Sequence, residues 1–151
     1  MDRATFTLEL ERVSETLFRV AWAMLYNEED CRDAMQEAAL KAWQHRGRLR
    51  DERYFATWVT RILINECRAM LRRRRRVIAM EEMPEASTPP ADPALAIALR
   101  ALPEQLRLPL TLHYVEGFDY AQTAQALRLP VSTVRGRIAR AKQQLRKELS
   151  E

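Results

Sequence analysis

The sequence predicts an all-α protein made of two small helical domains joined by an acidic, proline-rich linker. Its 151 residues include only three glycines and almost no alternation of β-branched and polar residues, so strands are not expected. Apolar residues instead recur every three or four positions, which is the spacing of an amphipathic helix. The stretch EEMPEASTPPADP, residues 81–93, interrupts that pattern with four prolines. Proline removes a backbone donor and restrains the residue before it from helical geometry.

Two helices are predicted in the first 45 residues. The first spans residues 4–25, and its apolar positions are Phe6, Leu10, Val13, Leu17, Val20 and Met24. The second spans about residues 29–45, with Asn27 or Asp30 as its expected N-cap. The residues expected to face inward on this helix are Ala34, Ala38, Ala42 and Trp43.

A third helix follows a basic loop. Gly47 breaks the helical pattern within HRGRLRDER, residues 45–53, and the helix is predicted from about Tyr54 to Arg75. One face of it is apolar and comprises Phe55, Val59, Ile62, Cys67, Met70 and Leu71. The other face is polar and comprises Thr57, Arg61, Asn65, Arg68 and Arg72.

The change in composition sets the predicted domain boundaries. Residues 1–76 form the first domain, residues 77–93 the linker and residues 94–151 the second domain. Two short helical stretches, ALAIALRAL and LPEQLRLPLTLHYVEGF, open the second domain.

The end of the chain predicts a helix-turn-helix. YAQTAQAL at 120–127 is a short helix, RLPVS is a tight turn, and Ser132 is the expected cap of a long basic helix. The predicted buried stripe of that last helix is Val134, Ile138, Ala141, Leu145 and Leu149. Opposite it lie small or uncharged residues, namely Ser132, Gly136, Ala139 and Gln143. Small residues let a helix approach closely, and the flanking arginines can reach phosphates or a guanine edge.

The net charge of +4 is unevenly distributed. Residues 61–76 carry seven arginines and one glutamate, and residues 120–147 carry seven bases and no acid. Residues 77–96 between these two blocks hold four acids and no base. Two separated basic blocks indicate two separate contacts with a polyanion.

Little in the sequence suggests covalent chemistry. His45 and His113 are far apart and are expected to be structural, and no phosphate-cradling glycine loop or nucleophile–base pair is present. Cys31 and Cys67 are expected to be reduced, structural thiols. We therefore expect no metal, no cofactor and no small-molecule substrate. With no secretory signal and no long apolar run, the expected location is the cytoplasm.

Four segments of the chain resemble the extracytoplasmic-function (ECF) group of bacterial sigma factors, in the sigma-70 family. STVRGRIARAKQQLRKEL is similar to the helix that reads the −35 promoter element, and ALPEQLRLPLTLHYVEGFDYAQTAQAL to the start of region 4. CRDAMQEAALKAW, residues 31–43, resembles the region 2 helix that binds the polymerase clamp. RYFATWVTRILINECRAMLRRRRR, residues 53–76, resembles the segment that opens and reads the −10 element. The segments occur in the family's order and cover nearly the whole chain. Four positions depart from the pattern. Gly136 stands where serine is frequent, Arg128 where many helix-turn-helix turns have glycine, and Ala34 and Ala39 where bulkier residues are expected on the clamp-binding helix.

The resemblance implies three sets of contact residues. The −35 element would be bound by Ser132, Thr133, Arg135, Gly136, Arg137 and Arg140. The −10 element would be bound by Arg61, Asn65, Arg68, Arg72 and Arg73, together with the loop at 46–53. Core RNA polymerase would be bound by Asp33, Gln36, Glu37 and Lys41 on one side of the second helix. An alternative for that side is a solvated face with a Glu37–Lys41 pair.

The implied partners are core RNA polymerase, promoter DNA and an anti-sigma factor, which in this group is commonly bound to the membrane. Two other classes of protein remain open on the residues alone. A stand-alone helix-turn-helix regulator would bind a palindromic duplex as a dimer. An adaptor would use its basic faces to bind acidic proteins.

Overall fold

The computed structural model describes residues 1–78 and 93–150, and within these ranges it contains helices and turns but no strand. The chain divides into two compact units, Met1–Ala86 and Ser87–Glu151. These features confirm the predicted all-α class with two small helical domains. Most of the predicted linker, residues 79–92, lies outside the described part of the chain.

Unit 1 is a bundle of three helices that pack against one another. They are α1 (Arg3–Leu25), α2 (Glu28–Gln44) and α3 (Phe55–Ile78). Their shared core includes the fully buried Leu17, Val20, Phe55, Val59, Leu63 and Ile64. The predicted basic loop folds as two short 3-10 turns, Arg46–Arg48 and Glu52–Tyr54.

Side-chain caps fix where α1 and α2 begin. The Asp2 carboxylate accepts a hydrogen bond of 2.8 Å from the Thr5 backbone N–H. The Asn27 side chain accepts one of 2.9 Å from the Asp30 N–H, so Asn27 is the cap and Asp30 lies inside the helix. Each cap satisfies a backbone donor that has no partner within its helix.

The polar face predicted for α3 is partly wrong. Thr57 is buried, as are Thr60 and Glu66. Both α1 and α2 pack on α3, so its buried sector is wider than the single stripe that a surface helix presents.

Both cysteines lie in this core as free thiols, as predicted. Burial raises the pKa of the Cys31 thiol to about 11. The thiol therefore stays protonated and weakly reactive near neutral pH.

Unit 2 contains four helices. They are α4 (Pro93–Ala101), α5 (Glu104–Leu110), α6 (Tyr120–Leu127) and α7 (Val131–Ser150), and α5 continues into a π-helical turn at Thr111–Val115. The core cluster comprises Leu102, Leu106, Leu110, Ala124, Val134, Ile138 and Ala141. The buried Arg107 guanidinium donates to the Leu102 carbonyl oxygen at 2.7 Å and so fixes the turn between α4 and α5.

Two expectations for the last helix were wrong. The helix begins at Val131, and the Pro130 carbonyl accepts the Val134 N–H at 3.1 Å. Ser132 therefore lies in the first turn and is not the cap. Leu149 is 51% exposed, because the last turns of α7 extend past the residues that cover Val134 and Ile138.

Every helix within residues 1–78 and 93–150 is too short or too polar to cross a lipid bilayer.

Candidate nucleic-acid interface

The turn before α7 is held by local hydrogen bonds. A capping box starts α6: the Asp119 side chain accepts from the Gln122 N–H at 2.7 Å, and the Gln122 side chain accepts from the Asp119 N–H at 2.9 Å. Arg128 ends α6 in the left-handed conformation, with φ 56° and ψ 48°. The Leu129 N–H then closes the turn on the Ala124 carbonyl at 3.0 Å. These contacts fix the direction in which α7 leaves the turn.

The outer side of α7 faces away from the core of unit 2. Val134, Ile138 and Ala141 are buried, and the opposite side is exposed. Of the residues predicted to bind the −35 element, Ser132, Arg135, Gly136 and Arg140 lie on the exposed side. Thr133 and Arg137 are half-buried. A Cβ built on Gly136 would meet nothing within 4 Å, so packing inside the protein does not require glycine there.

Two basic side chains of α7 lie over aromatic rings. The Arg135 guanidinium carbon is 5.0 Å from the centroid of the Tyr120 ring, and Lys142 Nζ is 4.4 Å from that of Tyr114. His113 joins the two rings: it stacks on Tyr120 at 4.4 Å with an interplanar angle of 13°, and meets Tyr114 edge-on at 4.8 Å. We refer to Tyr114, His113 and Tyr120 as the aromatic platform.

The basic residues of α3 have unequal exposure. Asn65, Arg72 and Arg73 are exposed, whereas Arg61 and Arg68 are half-buried. The five residues predicted to bind the −10 element are therefore not equally accessible to DNA. Asn65 combines exposure with paired donor and acceptor groups, which a side chain needs to read a base edge.

Arg74 is tied into unit 1. Its guanidinium forms an ion pair with Asp30 in α2 and donates to the Leu25 carbonyl oxygen, at the end of α1, at 3.2 Å. Burial lowers the pKa of this guanidinium from its ordinary value. Arg74 thus links three helices, although the sequence places it within a uniform run of arginines.

The loop between α2 and α3 holds two of its arginines close to other groups. The Arg46 guanidinium lies 3.7 Å from the Trp43 ring centroid and donates to the Trp43 carbonyl at 2.8 Å. Asp51 accepts hydrogen bonds from the Arg53 side chain and backbone, which lower the pKa of its carboxyl. The charge of Arg53 is thus offset by Asp51 within the loop, whereas Arg46 keeps its charge.

The outer side of α2 carries the residues predicted to bind polymerase. Asp33, Gln36 and Glu37 are exposed. Lys41 is also partly exposed, but its ammonium group pairs with Glu66 in α3, whose side chain is only 9% exposed. The contact that the structure gives Lys41 is therefore between helices. It is not the Glu37–Lys41 pair of the alternative interpretation.

Leu40 belongs to this side of α2 and was missed in the sequence. It is 56% exposed and lies three and four positions after Glu37 and Gln36, so it shares their helix face. An apolar residue at that spacing on an otherwise polar face was the available signal. The aromatic platform gave no such signal in the sequence, because the turn between α5 and α6 is what brings Tyr120 onto His113 and Tyr114.

Family comparisons match the chain in two parts. The family model described as "Sigma-70 region 2" matches residues 10–77, and that described as "Sigma-70, region 4" matches residues 94–145. The ECF RNA polymerase sigma factor SigM of Mycobacterium tuberculosis is 32% identical over 95% of this chain and 76% of its own. The RNA polymerase sigma-H factor of Pseudomonas aeruginosa is 29% identical over 98% of this chain and 88% of its own.

Two solved structures share the fold. The sigma factor RpoE of Bartonella quintana, solved in complex with the anti-sigma factor NepR, aligns with a TM-score of 0.84 at 24% identity and covers 97% of both chains. CnrH, solved in complex with the cytosolic domain of CnrY, aligns with a TM-score of 0.77 at 25% identity and covers 99% of this chain and 90% of its own.

Proposed function

Because the chain belongs to the extracytoplasmic-function group of sigma-70 factors, we propose that it is a dissociable specificity subunit of bacterial RNA polymerase. It binds the core enzyme and directs it to promoters that carry a particular −10 and −35 element. The observation that carries this proposal is the order of the two matches, region 2 at residues 10–77 and region 4 at residues 94–145. Each matched segment also covers most of one of the two basic helices, α3 and α7.

We assign the −35 element to the outer side of α7. This helix enters the major groove with its first turns, where Ser132 and Thr133 meet phosphate beside the helix N-terminus. Arg135 and Arg140 reach base edges on either side of Gly136. Arg137 contacts the DNA phosphate backbone at the periphery of the interface. Guanine is the expected target, because its O6 and N7 atoms match the two parallel donors of a guanidinium.

We assign the −10 element to α3. Asn65 reads the edge of an unstacked base, and the exposed Arg72 and Arg73 bind phosphates. Arg61 and Arg68 are half-buried, so they present less of their side chains to the single strand. The loop at 46–53 contributes further positive charge to the single strand.

We assign core polymerase to the outer side of α2. Asp33, Gln36 and Glu37 supply hydrogen-bonding groups around the exposed Leu40, and interfaces of this kind place an apolar residue at the centre of a polar rim. Lys41 contributes through its exposed methylene stem while its ammonium group holds Glu66.

We further propose that the protein acts in the cytoplasm, performs no covalent chemistry, and needs no metal or cofactor. An anti-sigma factor is the expected regulator, since two proteins of the same fold were solved in complex with such a partner or with a partner's cytosolic domain.

The test is run-off transcription with purified core polymerase on a library of upstream sequences, with and without this protein. We expect new transcripts from templates that share two sequence elements, and only when both components are present. Shifting of a palindromic duplex by the protein alone, without new transcripts, would make it a stand-alone regulator instead.

Two variants test the assigned surfaces separately. Arg140→Ala is expected to weaken promoter selection by about 1–3 kcal/mol at one base of the −35 element, if it forms the bidentate contact. Gln36→Ala combined with Glu37→Lys is expected to lower affinity for core polymerase. Equal losses at every base in the first variant, or full core affinity in the second, would remove the corresponding assignment.

A further inference from the structure

The Arg135 guanidinium lies over the neutral Tyr120 ring, with its carbon 5.0 Å from the ring centroid, and not against a carboxylate. The five N–H donors of arginine lie in the plane of the group, whereas a ring beneath it meets only the π face. A carboxylate partner would occupy two of those donors. Arg135 is also exposed, so a guanidinium held near the ring keeps N–H donors available to a partner.

We propose that Tyr120 is a positioning residue for Arg135, and that it fixes the plane in which the guanidinium meets a base edge. The inference rests on the proposed reading of the −35 element by α7. It adds to that reading a residue of α6 that touches no DNA but determines how strictly one base is selected.

The Tyr120 ring is itself held from several sides. The ring packs on the core cluster of unit 2. Tyr120 is also the first residue of α6, directly after the capping residue Asp119, so its backbone is fixed by the start of the helix. His113 stacks on the ring, and the His113 Nδ1–H donates to the Phe118 carbonyl oxygen at 2.7 Å. A ring packed in this way gives the arginine a defined surface.

Holding Arg135 in advance matters because arginine has many rotamers to lose on binding. A guanidinium that is already oriented loses less freedom when it meets guanine, so discrimination between bases is sharper. The preference for one base should therefore fall when the ring is removed, even though Arg135 remains.

The first measurement needs no DNA. In the full-length protein, ¹⁵N relaxation of the Arg135 Nε–H is compared between the wild type, Tyr120→Phe and Tyr120→Leu. We expect order at Nε to be kept by phenylalanine, which retains the ring face, and lost with leucine. Unchanged order in Tyr120→Leu would overturn the inference whatever the protein does on promoters.

The second measurement repeats the promoter library with holoenzyme made from the same variants, from Arg135→Ala and from the double variant. Arg135→Ala identifies the promoter position that Arg135 reads. At that position, Tyr120→Leu should reduce the preference for one base over the others about three- to tenfold. The double variant should lose no more of this preference than Arg135→Ala alone. Preference at the base assigned to Arg140 should stay unchanged. Equal losses at all bases would mean that Tyr120 only supports the fold.

Tyr114→Leu is the matched control. Tyr114 is 51% exposed and lies under Lys142, so its loss should leave both Arg135 order and base preference intact. Absence of any promoter preference in the wild type would count against the proposed function, and the relaxation measurement would then decide the positioning inference alone.

Discussion

The two units hold the basic side chains of their α-helices in different ways, although in the loop of unit 1 Arg46 also lies over a ring. In unit 1, Arg74 pairs with Asp30 and Lys41 pairs with Glu66. In unit 2, Arg135 lies over Tyr120 and Lys142 over Tyr114. One set of contacts joins opposite charges between helices, and the other joins charges to neutral rings.

This difference decides whether each basic side chain remains available to bind DNA. An ion pair neutralises the charge and occupies donors, so Lys41 and Arg74 act mainly on the stability of the bundle. A cation over a ring keeps its full charge and its in-plane donors. Because residues 120–147 contain no acid, no carboxylate within α7 offsets its positive charge before Glu148. A count of arginines therefore overstates the DNA-facing charge of unit 1 more than that of unit 2.

The largest expected effect is on the Lys41–Glu66 pair. Lys41→Ala leaves the buried Glu66 carboxylate without its cation, which should lower the free energy of unfolding of unit 1 by about 2 kcal/mol. The value is below that of a fully buried pair because the Lys41 side chain is 48% exposed. Urea unfolding followed by circular dichroism measures the change.

Gln36→Ala on the same helix side is the matched control, with an expected change below about 0.5 kcal/mol. Adding Glu66→Gln to Lys41→Ala should restore part of the loss, since a neutral amide costs less to bury than an unpaired carboxylate. If Lys41→Ala were as mild as Gln36→Ala, unit 1 would not depend on this pair.

The arginine run at the end of α3 gives the next test, because two neighbours should behave in opposite ways. Arg74→Ala removes the Asp30 pair and the bond to Leu25, and we expect unit 1 to lose about 1–2 kcal/mol of stability. Arg73→Ala should leave stability unchanged. Binding to oligo(dT) should reverse the order: Arg73→Ala lowers the slope of log K against log salt by about 0.7, and Arg74→Ala does not.

Both variants changing the salt slope equally would show that the Asp30 pair opens when DNA binds. In that case the distinction between the two units would hold only for the free protein.

The sequence predicted the class of fold, the helix order and the faces that lie on a single stripe, because these follow from local periodicity. The extent of α6 and the inward alanines of α2 are examples. It failed where long-range packing decides: Thr57 is buried because two helices cover α3, and Arg74 differs from its neighbours through residues about 45 positions away. The −10, −35 and polymerase residues were placed by family resemblance, and their roles stay predictions.

A smaller effect is expected where each unit ends a helix in the left-handed conformation without glycine. Arg128→Gly should stabilise unit 2 by about 1 kcal/mol, because glycine adopts this conformation without steric cost. Tyr26→Gly in unit 1 should gain less, since the Tyr26 ring packs edge-on against Trp22 at 6.2 Å. Thermal unfolding of the two variants measures both changes. An equal gain in the two units would mean that the Tyr26 ring contributes nothing.

The smallest change in stability is expected from Gly136→Ala. This variant separates the effect of residue 136 on the stability of α7 from its effect on DNA binding. Alanine should raise the stability of unit 2 by about 0.8 kcal/mol, because it has a higher helix propensity than glycine. The added Cβ meets nothing within 4 Å, so no clash offsets this gain. The same Cβ lies on the exposed side between Arg135 and Arg140, where it should hold the helix away from the groove and weaken promoter binding. Gln143→Ala, on the same side and farther along the helix, should change neither property. Higher stability with unaltered promoter binding would show that the DNA does not approach α7 at Gly136, and the centre of the interface would then have to lie nearer Ser132.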